Sequence, residues 1–248
     1  MKRLVFLITF FFVIAIQSYP IYNFETVECP TTCIIPPKTY NLAFEMLPVG
    51  GIGFSANLSL FPRVMFGMSY SATDIVSYEV PVFSKYPGFL VKVLILEEED
   101  YVPAVAFGIS SQGYGSYDNN QSRFTIKSKG LYVNLSKLMY PPVGELLLGA
   151  GMNYSIFENE VEKMIDFFIQ AEYYLSDNMG FLIEYFPGLD DNDNNNGFGR
   201  GVGYLNTGMK WIYEEKLGIE LDFIDIIKNN DENATVGRGI KISYTDLF

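Results

Sequence analysis

From about residue 40 to its C-terminus the chain repeats nearly everywhere with a period of two. Twelve segments place apolar or aromatic residues at i, i+2 and i+4. They cover 40–47, 51–60, 63–71, 88–96, 103–110, a stretch ending in Leu131, Val133 and Leu135, 145–155, 166–175, 180–186, 202–212, 216–225 and 238–248. Successive side chains of a β-strand point to opposite faces, so this period gives each segment one apolar face and leaves the other free to be polar. The alternation slips by one residue near 128–130, which predicts a bulge. The pattern predicts an all-β fold. It leaves open whether the apolar faces turn toward a buried core or toward lipid.

Lengths and connections favour lipid. A tilted strand needs about 9–11 residues to cross a bilayer, and most of these segments come close to that. The links after segments two, four, six, eight and ten are short. Those after three, five, seven, nine and eleven are mostly longer and more polar, as at 72–87, 111–123 and 187–201. Only the link after segment one breaks the rule, being short on the long-loop side. Short turns on one rim and long loops on the other describe a transmembrane antiparallel up-and-down β-barrel with both termini in the periplasm. The sequence predicts about twelve strands, with ten or fourteen inside the error of such boundaries. Aromatic residues support the sorting. Tyr40, Phe61, Tyr101, Tyr140, Trp211, Tyr213 and Phe248 fall at one set of strand ends, and Tyr70, Phe89, Tyr154, Phe167 and Tyr185 at the other. Amphipathic rings prefer the headgroup level.

The two ends of the chain supply the compartment. Residues 238–248 read RGIKISYTDLF, with Tyr244 on the apolar face and a terminal Phe248. This end resembles the closing strand of bacterial outer-membrane β-barrels, and the resemblance implies that it carries the signal read by the barrel-assembly machinery. At the other end, Lys2 and Arg3 precede an apolar run from Leu4 to Ile16. About 13 residues suit the core of a signal peptide and fall short of the roughly 20 that a transmembrane helix needs. Cleavage after Ser18 is expected, and no lipobox precedes Cys29. Residues 19–38 hold Pro20, Pro30, Pro36 and Pro37, lack periodicity, and predict an extended periplasmic segment.

Charge and residue usage exclude several functions. A net charge of −12 argues against a nucleic-acid partner, which would need clustered Lys and Arg. The chain has no histidine, so acyl transfer of the Ser–His type is not available to it. Cys29 and Cys33 could form a disulfide in an oxidising compartment or remain free thiols; a metal site fails on ligand number. The run DDNDNNNG at 190–197 echoes the opening of a calcium loop but lacks the distal bidentate Glu, and reads as a flexible outer loop. No catalytic, cofactor-binding or metal residue is predicted.

The faces opposite the apolar ones name the lumen. Glu45, Asn57, Lys92, Asn153, Glu172, Glu184, Lys210, Glu220, Asp222 and Lys241 are the lumen-lining candidates. Two outcomes are open for them: charges that line an aqueous pore and bias which solutes pass, or charges that pair across the lumen and plug it. Inward Leu90, Leu94, Leu147, Phe168, Tyr174, Leu182 and Phe186 favour a partly filled interior.

Between Val102 and Lys137, the Pro-Ala-x-Ala-x-Gly strand, the Gly113-Tyr114-Gly115 loop and the stretch from Lys129-Gly130-Leu131-Tyr132 to Ser136-Lys137 resemble a segment of little-characterised outer-membrane barrels, including YjbH-type proteins. The resemblance covers about a seventh of the chain and implies no active site. The expected organisation is a signal peptide over 1–18, a periplasmic segment over 19–38 and an outer-membrane β-barrel over 39–248. The expected role is a narrow porin-like channel for passive diffusion of small solutes. The alternative is a non-conducting barrel that partners surface polysaccharide export or another envelope complex. Membrane lipid, lipopolysaccharide and the assembly machinery are the expected partners.

Overall fold

The computed structural model describes residues 23–158, 164–189, 191, 199–229 and 235–248. The expected signal peptide and nearly all of the 190–197 run lie outside them. Among the described residues fifteen strands are present: β1 (Thr39–Leu47), β2 (Gly51–Phe61), β3 (Val64–Thr73), β4 (Val82–Phe83), β5 (Gly88–Leu96), β6 (Ala104–Ser110), β7 (Tyr114–Asp118), β8 (Arg123–Ile126), β9 (Gly130–Met139), β10 (Glu145–Tyr154), β11 (Asp166–Ser176), β12 (Met179–Phe186), β13 (Tyr204–Tyr213), β14 (Leu217–Ile224) and β15 (Gly237–Leu247). Twelve of these form a closed antiparallel barrel; β4 is a short addition beside β3, and β7–β8 form a separate hairpin. Closure joins the first and last strands, with Leu42 opposite Tyr244 and Glu45 opposite Lys241.

The register follows the alternation. Outward Leu42, Phe54, Met68, Ile169, Ile183, Met209, Leu221 and Ile242 are exposed, while inward Asn41, Met65, Ala106, Asn134, Glu172, Glu184 and Asn206 are buried. An apolar exterior around a polar interior inverts the arrangement of a water-soluble protein, and suits a wall that faces hydrocarbon. A Lys or Arg on that exterior would cost roughly 2–4 kcal/mol at mid-bilayer, which explains why the wall turns its charges inward. The exposed aromatics Phe61, Tyr140, Trp211, Tyr213 and Phe248 sit at the short-turn rim. The expected bulge is present, with Tyr154 of β10 facing both Gly130 and Leu131 of β9. The anomalously short β1–β2 turn is roofed by the following loop: Asp74 and Val76 donate N–H bonds to the carbonyls of Val49 and Gly50. Gly50 adopts a φ of +65°, and a Cβ there would lie 2.6 Å from the Val76 carbonyl oxygen, so the close approach requires glycine.

The interior departs from expectation. Residues 23–35, predicted as part of an extended periplasmic segment, run inside the barrel. They double back as a hairpin: Glu25 bridges Pro30, the Thr26 N–H bonds the Cys29 carbonyl at 2.8 Å, and the Thr31 N–H bonds the Phe24 carbonyl at 3.1 Å. Beyond the hairpin the chain leaves at the short-turn rim, where Lys38 donates to the Ser59 carbonyl at 2.6 Å and β1 begins. Prolines keep this stretch out of the wall, because each removes a ladder donor. The β7–β8 hairpin adds a second piece of chain at the long-loop rim, where Phe124 and Ile126 are buried. Salt bridge Arg123–Asp191 at 2.8 Å and the bonds of Ser128 to the Glu158 carboxylate tie it to neighbouring loops.

Candidate functional site

The lumen is the candidate site, and the N-terminal hairpin is what its inward residues touch. Glu184 on β12 accepts the backbone N–H groups of Val27, Glu28 and Cys29 at 2.8–3.0 Å, and the side-chain amide of Asn206 at 2.8 Å. Three successive amides aimed at one carboxylate form a small anion nest, and charge-assisted bonds of this kind are stronger than neutral ones. Lys92 on β5 is fully buried and plays the converse part. Its ammonium donates to the carbonyls of Phe24, Thr31 (2.9 Å) and Cys33 (3.3 Å), and lies 5.9 Å from the Phe24 ring centroid. Asn134 on β9 and Gln170 on β11 both donate to the Pro30 carbonyl. Side-chain contacts complete the seat: Thr26 donates to Glu172 at 2.9 Å, Asn23 to Glu220 at 3.3 Å, and Thr32 meets Ser136.

Apolar contacts close what remains. Val27 and Cys29 of the hairpin pack with Ile126 of β8 and with Phe168, Leu182, Phe186, Tyr204 and Ile224 of the wall; Tyr114 of β7 joins them. A second cluster joins Phe24, Ile34 and Ile35 to Met65, Leu90 and Tyr132. The two hairpins therefore meet inside the barrel. A cavity persists beside them toward the long-loop rim. Its lining includes Glu25, Glu28, Glu45 and Asp222 together with Lys127, Lys129 and Lys241. Lys241 spans Glu45 (3.5 Å) and Glu220 (3.9 Å), and the Lys129 ammonium stands 3.5 Å from the Phe186 ring centroid.

Each residue proposed from the sequence can now be placed. Lys92, Glu172, Glu184 and Glu220 touch the hairpin. Lys210, 4.0 Å from Glu220, and Lys241 support that set from β13 and β15. Glu45 and Asp222 line the cavity. Asn57 is buried on the inner face and reaches Asn41 at 3.5 Å, and Asn153 is buried with an unpartnered carbonyl oxygen. Tyr244 and Phe248 lie on the exterior, with the Tyr244 hydroxyl on Asp246 at 2.8 Å. The disulfide weighed for Cys29 and Cys33 is not formed; both are free thiols. Their seats differ: Cys29 is buried in the cluster around Ile126 and Phe168, while Cys33 is half-buried with its carbonyl held by Lys92. Burial pushes the Cys33 thiol up to about 12 and the Cys29 thiol well above its ordinary value, so neither supplies a thiolate while seated.

The sequence reading missed Asn134, Ser136 and Gln170 as seat residues. The signal for the first two was present, since both alternate with outward Val133 and Leu135. Gln170 likewise follows outward Ile169. Among the described residues no helix is long and apolar enough to cross a membrane, and no three His, Cys, Asp or Glu side chains are grouped to hold a metal ion.

No protein-family model and no curated protein matches the chain. Solved structures of similar shape include a KdgM porin (TM-score 0.49, 7% identity, covering 83% of this chain and 98% of that one). They also include a NanC porin (0.46, 10%, 84% and 99%) and the outer membrane protein Omp33 of Acinetobacter baumannii (0.44, 6%, 85% and 97%). The assignment of the fold rests on the closed register of the twelve strands, and the stretch compared with YjbH-type proteins forms β6, the β7–β8 hairpin and β9.

Proposed function

We propose that this protein is an outer-membrane, porin-like channel for small solutes that its own N-terminal hairpin holds shut at rest. The observation that carries this reading is the character of the seat. The hairpin is held by inward polar groups on β5, β9, β11, β12 and β14. With the hairpin withdrawn, Lys92, Glu172, Glu184 and Glu220 face water in a twelve-stranded lumen and bias the charge of what passes. The apolar wall, the sorted aromatics and the terminal Phe248 support the outer membrane as the location, with the short-turn rim in the periplasm.

One observation favours the alternative of a sealed structural barrel: the apolar cluster where Val27 and Cys29 meet Ile126 and the wall. Planar-bilayer recording separates the two. The channel reading expects the mature chain to be largely silent and a variant with an unseated hairpin to give steady ohmic steps. Silence from both, with insertion shown independently, would leave the structural reading.

A further inference from the structure

We infer that the lumen wall is a binding site for a peptide turn, read largely through its main chain, and that the N-terminal hairpin occupies it as an intramolecular stand-in. The inference rests on the proposal that the hairpin leaves the lumen, and names what then takes its place.

The wall's polar groups touch the hairpin mostly at main-chain atoms. Glu184 takes three successive backbone N–H groups. Lys92 takes three backbone carbonyls drawn from both arms of the hairpin. Asn134 and Gln170 converge on a fourth, that of Pro30. Against these stand three polar contacts to hairpin side chains, at Asn23, Thr26 and Thr32, and the non-directional apolar packing of Phe24, Val27, Cys29, Ile34 and Ile35. Main-chain N–H and C=O groups are common to every peptide, so recognition through them gives affinity with little dependence on sequence. The wall pairs with such a partner at two opposite charges. The Glu184 carboxylate and the Lys92 ammonium, both buried and bonded to hairpin backbone, exchange those bonds for water when the hairpin goes. A peptide that folds back into the same turn restores both at once. A sugar or an inorganic ion offers no run of amide donors to Glu184.

The test uses the full mature chain carrying Val27→Pro and Cys29→Pro, which removes two of the three amide donors from the resident hairpin and leaves the wall unchanged. Three fluorescent 13-residue peptides are titrated against it in detergent micelles by anisotropy. One has the sequence of residues 23–35, one has that composition scrambled around a fixed proline, and one is N-methylated at the positions of 27, 28 and 29. Main-chain reading expects the first two to bind within about threefold of each other. It expects the N-methylated peptide to bind roughly a hundredfold or more weakly, since all three donors to Glu184 are gone. Lys92→Met added to the same chain should weaken the first two alike. A scrambled peptide that fails to bind, or an N-methylated one that binds as well as the native, overturns the inference, as does no binding by any of them. If the doubly substituted chain does not refold, Cys29→Pro alone serves, since it still removes the 2.8 Å donor. Conductance is recorded in parallel. Peptide binding without ohmic steps would refute the channel and leave the peptide site standing. Steps that no peptide blocks, with no binding, would do the reverse.

Discussion

The wall of the barrel and the hairpin inside it obey opposite rules. Along β12 each residue reports its face by parity: Phe181, Ile183 and Tyr185 outward, Leu182, Glu184 and Phe186 inward, set against β13 without a register shift. Its partners are the strands adjacent in sequence, β11 through a short turn and β13 through the long link over 187–203. The hairpin has no period. Its contacts reach across 155–157 residues to Glu184 and across 59–68 to Lys92. The wall is a local pattern repeated; the hairpin is a set of long-range polar contacts to a surface that exists only once the wall is closed. The hairpin is therefore expected to be removable without loss of the barrel, while damage to the wall removes the seat for both.

The sharpest way to break that comparison is Glu184→Ala. It strands two buried amide donors and a half-buried one, and at about 1–3 kcal/mol for each unsatisfied group the hairpin should lose roughly 3 kcal/mol or more of its seating. Limited proteolysis of residues 23–35 should accelerate more than about a hundredfold while the β-sheet circular dichroism and the heat-modifiable gel shift of the barrel stay as they are. Loss of the barrel signal together with the hairpin would show that the two are one unit.

Lys92→Met tests the other pole of the seat, with about 1.5–3 kcal/mol expected from its charged bonds and the same two readouts moving apart. Ile126→Val trims the contact between the two hairpins and should cost about 0.5–1.5 kcal/mol, read as a smaller rise in proteolysis. The hairpin's own carboxyls give a pH dependence. Burial holds Glu25 above, and Glu28 well above, the ordinary value near 4.5, so seating takes up protons. The seat should tighten as pH falls through the raised values toward about 4.5 and gain nothing further below it. Proteolysis that speeds up over this window would contradict the assignment. The smallest effect belongs to the exterior. Phe248→Ala should leave the thermal stability of refolded protein unchanged and lower the yield of inserted protein in cells, if the terminal ring serves assembly.

All twelve wall segments were legible from the sequence to within a few residues, because a strand that faces lipid on one side must alternate whatever its partners are. The inward charges were legible for the same reason. What they bind was not, since a lone inward Glu184 looks the same whether it faces water, a lysine or three amides. Residues 19–38 offered only prolines and no period, and the β7–β8 hairpin, with strands of five and four residues, is too short for alternation to show. The clue to a filled interior was Phe168, Leu182 and Phe186 on faces that an open pore would keep polar.

The central claim is that the hairpin, and not the wall, closes the lumen. Single-channel recording of the refolded mature chain beside its Val27→Pro, Cys29→Pro variant tests it directly. The account predicts a wild-type chain that is silent or opens rarely, and a variant that shows steady ohmic steps whose ion selectivity shifts on Lys210→Ala. Equal conductance from the two chains, with insertion confirmed for both, would contradict it.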